Sequence, residues 1–149
     1  CEGKHMSRSG VLSTIDSLIS GVTSPTFTAV YQGEPLSIPT TPVAAFWLED
    51  HNELFTTLGD ASTVATFSIR CYWRMVESPD VRETIEAEVW DAIVNIKTAL
   101  RGDANLSGNC TDSHPTEATI EFEEIGGNVY RTITIGFDVE IYGEMSIVP

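Results

Sequence analysis

The chain has 149 residues, 42% of them hydrophobic, 9% aromatic and 20% charged, which is the composition of a folded protein and the length of one domain with a single continuous core. Eight basic residues against 22 acidic ones give a formal net charge of -14, too few cations for an extended phosphate-binding surface, so sequence-specific nucleic-acid recognition is excluded. No apolar run approaches the roughly 18 residues of a membrane helix and no secretory signal is visible, so the reading is a soluble protein.

The opening CEGKH before Met6 reads as a remnant of cloning, leaving residues 7–149 as the single domain. A first helix is predicted over residues 8–20, where Val11, Leu12, Ile15, Leu18 and Ile19 recur at helical spacing and Gly21 supplies a stop. TFTAVYQ (26–32) reads as a strand. The run from Pro35 through Pro39 to Pro42 forbids helix and suits an extended arm or edge hairpin. VAAFWLE (43–49) is the next strand, with EDHNE (49–53) expected to turn the chain.

VATFSIRCYWRMV (64–76) alternates with period two. Ala65, Phe67, Ile69, Cys71, Trp73 and Met75 share one face; Thr66, Ser68, Arg70, Tyr72 and Arg74 share the other. SPDVRETIEAEVWDAIVNIKTALRG (78–102) is the clearest helix. Ser78 is the expected N-cap and Pro79 fits the first position. Val81, Ile85, Val89, Ile93, Ile96 and Leu100 form the expected buried stripe, and Gly102 is expected to end the helix in a left-handed conformation. A polar loop over 103–116 follows. TEATIEFEEI (116–125) and NVYRTITIGFDVEIYG (128–143) flank Gly126-Gly127, a hairpin signal. In the last strand Ile133, Ile135, Phe137, Val139 and Ile141 face a core, and Thr132, Thr134, Asp138 and Glu140 face away from it.

The order α, β, β, β, long α, β, β implies an α+β fold: a mostly antiparallel sheet with the N-terminal helix and the long helix packed on one face. The Thr/Arg/Asp/Glu face would then be left uncovered within the monomer.

Chemistry is sparse. No nucleophile elbow, phosphate-binding loop, dinucleotide fingerprint, zinc-protease motif or calcium loop is present. Glu49, Asp50, His51 and Glu53 sit in too short a stretch to surround a metal unaided, and Asp112 and His114 lack a nucleophile at a recognisable spacing; solvated segments are expected for both. Neither a metal nor a cofactor is expected, and the protein reads as a non-enzyme. Trp73 and Trp90 are expected to pack in the core or between helix and sheet. Cys71 is expected to be buried, and Cys110 reads as a free thiol in a polar loop. Arg70 and Arg74 on one strand, with Asp138 and Glu140 on another, are either cross-strand pairs or contacts to a second subunit.

The layout as a whole, from the first helix through the IPTTPVA arm to the SPDVRETIEAEVWDAIVNIKTAL helix and the closing GG hairpin, resembles the tail terminator (tail completion) proteins of long-tailed bacteriophages. The resemblance lies in layout, since the family has few signature residues. It implies a virion protein, made in the host cytoplasm, that caps the head-proximal end of the tail tube as a hexameric ring. Such a ring stops tail growth and offers the surface for joining the head; many members are monomers alone and close on the tube. The implied partners are further copies of the chain, the tail tube protein and a head-completion or connector protein, with no membrane. DNA passes through the ring, where an acidic wall that repels phosphates lets a duplex slide. Under this resemblance Arg70, Arg74, Asp138 and Glu140 become candidate subunit-interface or lumen-facing residues. The alternatives are a neck, connector or minor tail protein, and, from another class, a small α+β ligand-binding protein or enzyme.

Overall fold

In the computed structural model, residues 5–55, 61–142 and 146–148 are described. The elements run β1 (His5–Ser7), α1 (Arg8–Ser20), β2 (Ala29–Gln32), β3 (Val43–Phe55), β4 (Ala61–Arg74), α2 (Pro79–Arg101), β5 (Asp112–Ile125), β6 (Asn128–Tyr142) and β7 (Ser146–Val148). Five strands form one sheet in the order β2-β3-β4-β6-β5, and β1 pairs with β7 as a separate parallel ribbon. His5 and Met6, set outside the fold on sequence grounds, thus take part in a strand. The fold is α+β, with β2-β3 the one parallel pair of the larger sheet.

Alternation decides which face each strand buries. Ile69, Cys71 and Trp73 of β4 lie under the helices with Ile133, Ile135, Phe137, Val139 and Ile141 of β6. α1 contributes Val11, Ile15 and Ile19, and α2 contributes Ile85, Val89, Ala92, Ile96 and Leu100, so both helices cover the same face. Burying that many Ile, Val and Leu side chains, at roughly 1.5–3 kcal/mol each, is the main term holding the layers together.

Several expectations for α2 and its surroundings change. Val81 is exposed, because the stripe that meets the sheet begins one turn later, at Ile85. Trp90 is 72% exposed, since it lies off that stripe, whereas Trp73 is buried as expected. Ser78 is extended but its side chain makes no capping bond, and Gly102 is right-handed (φ -71°), so the chain keeps winding. The reversal comes later, at Leu106, Ser107 and Gly108, which all have positive φ. The expected polar loop is therefore a compact plug: Ser107 donates to the Asp103 carboxylate through both N–H and Oγ, and Leu106 and Cys110 are fully buried beneath it. Cys110 lies in the core, where its Sγ donates to the Ala104 carbonyl at 3.6 Å.

EDHNE does not turn the chain. It continues β3, where the Asp50 carboxylate accepts from the His51 N–H and from the Asn52 side chain. A bulge between Leu48 and Asp50 absorbs the odd residue, and pairing with β4 then runs on to Phe55 and Ala61. At the other end, Gly126 (φ 59°) and Gly127 (φ 83°) close the β5–β6 hairpin with both central residues left-handed, the geometry that suits a two-residue loop between twisted strands.

Candidate functional site

The polar face of the sheet is the surface singled out by the sequence, and strand register gives its layout. Across β3, β4, β6 and β5 its rows read Ala45–Arg70–Thr134–Thr119, then Trp47–Ser68–Gly136, then Asp50–Thr66–Asp138–His114, then Asn52–Val64–Glu140–Asp112. Arg70 and Arg74 therefore sit towards one end, and Asp138 and Glu140 towards the other. Neither arginine is brought to either acid, so the cross-strand pairing considered from sequence does not form.

Each charge has other neighbours. Arg70 donates through Nε to Thr134 Oγ1 at 2.9 Å and through Nη1 to Glu123 Oε2 at 3.2 Å. Glu34 lies 3.7 Å away, and the guanidinium stands 5.3 Å from the Trp47 ring centre. Planar, permanently charged and fork-shaped, the group suits this enclosure in a way a lysine would not. Arg74 reaches Asn128 at 3.1 Å. Asp138 accepts from Thr66 Oγ1 at 2.9 Å and lies 3.7 Å from His114 Nε2.

The face is not wholly uncovered. Residues 33–42, the Pro-rich arm, link the parallel strands β2 and β3 and cross the end that holds Arg70. Val43, Ala45, Tyr72 and Tyr130 form a second small core there, with Ile38 and Tyr31 packed against it. Tyr130 OH donates to the Ile38 carbonyl, Thr41 Oγ1 accepts from the Arg74 N–H, and Gly33 N–H donates to Phe46 O at 2.8 Å. The Tyr72 and Tyr130 rings meet edge to face at 6.3 Å. Burial pushes the Tyr72 phenol up to about 12, against an opposing pull from Arg70. This cover has a simple cause: apolar residues on the polar face need burial, and the arm is within reach. The signal was present in the unbroken apolar run VAAF, which marks a strand buried on both sides.

Among the described residues no such arm crosses the other end, where Asp50, Asp112 and His114 are exposed and Asp138 and Glu140 half-buried. Among the described residues no group of three or more His, Cys, Asp or Glu is placed to hold a metal ion. Under α1, an apolar cavity of about 460 Å³ is lined by Val11, Leu12, Phe46, Leu48, Ala65 and Phe67, with Gln32 and His51 among its few polar residues. His51 reaches it because the β3 bulge flips the parity of the strand. That placement was illegible in sequence, where the bulge leaves no mark. Among its described lining residues no nucleophile stands beside a base. Cys71, the buried thiol nearest in the sheet, is pushed far up by burial and is inert as a nucleophile. No helix among the described residues is long and apolar enough to cross a membrane.

No family model and no curated protein matches the chain. Among solved structures, it is similar to a chain described as "Virion of native gene transfer agent (GTA) particle", with a TM-score of 0.55 and 17% sequence identity. The match covers 89% of this chain and 92% of that one, so the likeness is of the whole fold.

Proposed function

We propose that this chain is a structural protein of a phage-like particle, and that it caps the head-proximal end of the tail tube as a ring, stopping growth and offering the surface that meets the head. The observation that carries the reading is the fold likeness to a virion chain over 89% of one chain and 92% of the other. The charged face is built of paired side chains and acidic rows, a surface suited to contact with other subunits. Arg70, Arg74, Asp138 and Glu140 are our candidates for subunit or lumen contact. Asp138 and Glu140, beside Asp50 and Asp112, would give a channel wall that repels DNA phosphates.

Growth of purified tail tube protein tests the cap. Tubes grown with the chain present are expected to be shorter and to resist extension when fresh tube protein is added. Tubes that lengthen as if nothing were there would end the reading, and binding only to filled heads would favour a neck or connector protein instead. Reversing charge with Asp138→Lys and Glu140→Lys together is expected to lower the ring fraction; unchanged association removes those two residues from the interface.

A further inference from the structure

We infer that the outer edge of β5 is a docking site for an extended basic segment of another protein, a strand alternating apolar residues with Lys or Arg, which adds to the sheet beside β5. The inference does not depend on the chain's place in a particle.

β5 ends the sheet order, so one side of its ladder meets β6 and the other has no strand beside it among the described residues. Such an edge offers a row of backbone donors and acceptors, and proteins normally blunt it. Here it is flanked by apolar surface. On the helix side of the hairpin Ile120 is 45% exposed and Phe122 60%. Glu86 of α2 meets Arg131 Nε at 3.0 Å, and that guanidinium lies 4.6 Å from the Phe122 ring centre, which sets the second turn of α2 beside Phe122. Trp90 follows Glu86 by one turn and Val94 by two, both exposed on the same stripe. A single exposed apolar residue is ordinary; four along one edge form a strip of the kind that marks an interaction site.

Charge identifies the occupant. On the helix side Glu83, Glu86 and Glu124 stand among Arg82 and Arg131, whereas Glu117 and Glu121 are exposed on the opposite face of β5 with no basic residue of that strand beside them. A strand added here would point alternate side chains at Ile120, Phe122 and Trp90 on one face, and at Glu117 and Glu121 on the other. The first set must be apolar and the second cationic. A second copy fits poorly. Antiparallel pairing of β5 with β5 would bring the acids of one strand against those of its twin, on chains of net charge -14. The other sheet edge, β2, spans only Ala29–Gln32 and carries no charge.

The probe is the end-blocked peptide Thr-Lys-Val-Lys-Val-Lys-Val-Thr, with a control in which the central Val is Pro, equal in charge but lacking a backbone donor. Amide hydrogen exchange and chemical shifts across β5 are read during titration. We expect saturable binding that slows exchange along β5, with the Pro peptide at least about tenfold weaker. Trp90→Ser with Phe122→Ser should weaken binding by about tenfold; Trp90→Ser alone should weaken it without moving the melting temperature, because that side chain is 72% exposed, whereas Phe122→Ser also loses its contact with Arg131. Glu117→Lys with Glu121→Lys should weaken it more at low salt than at high. No binding, equal binding of the Pro peptide, or indifference to the Trp90 and Phe122 substitutions would overturn the inference. So would a dimer of the chain itself that protects β5.

Discussion

Arg70 holds several parts of the molecule together. Its guanidinium connects β4 to Thr134 of β6, Glu123 of β5 and Glu34 of the arm, over the Trp47 ring of β3. Arg70→Met keeps the stem but removes the charge-assisted bonds, and is expected to cost about 1–3 kcal/mol in urea unfolding. Exposure of the group to water favours the lower part of that range. Arg70→Lys should recover only part of the loss, because an ammonium cannot serve Thr134 and Glu123 with one planar fork. Tyr72 gives a pH signature. A phenol whose folded pKa is raised stabilises the fold in its neutral form. That contribution is whole below the ordinary value of 10 and is lost as the pH rises through about 12. Unfolding midpoints should therefore fall over that window, and fall less in Tyr72→Phe. Thiol titration reports on the interior: in a Cys1→Ser background neither Cys71 nor Cys110 should label in the native state, and both should label in denaturant.

At the scale of the elements, two bulges decide which side chains face where. Between Pro115 and Ala118 the register of β5 slips against β6, and Thr116 folds over Gly136 so closely that a Cβ there would collide with the Thr116 hydroxyl. Gly136→Ala is expected to cost about 1 kcal/mol as the threonine is displaced, and pairing it with Thr116→Ala should remove most of that cost. Equal losses in the single and double variants would contradict the close approach. These bulges also mark where sequence reading ends. The two long strands β4 and β6, the helix α2 and the GG hairpin were legible because their period holds over many residues, and turn chemistry pins the hairpin. EDHNE was read as a turn because its residues are polar, yet a polar strand is stable where pairing to β4 satisfies its backbone and its side chains meet water. The parallel β2-β3 pair and the arm lying over Tyr72 and Tyr130 are products of tertiary packing, which no local pattern encodes. Trp90 was misread for a related reason: an aromatic residue one position off the buried stripe looks the same in sequence as one on it.

For the whole molecule, charge and shape constrain function together. A net charge of -14 raises the cost of packing copies side by side unless a partner or salt neutralises it, which suits a protein that associates on a scaffold more than one that assembles freely. The fold is shared with a virion chain over most of both lengths, and under the proposed function the acidic end of the sheet would be the wall past which DNA moves. The candidate residues were legible as charged positions on one face. Their separation into an arginine end beneath the arm and an acidic end beyond it was not, because register and bulges set it. Native mass spectrometry across a concentration series, with the chain alone and with purified tail tube protein, tests the central claim most directly. The account predicts a six-fold species that forms, or is greatly enriched, when tube protein is present. A chain that stays monomeric and leaves tubes unbound at every concentration would contradict it.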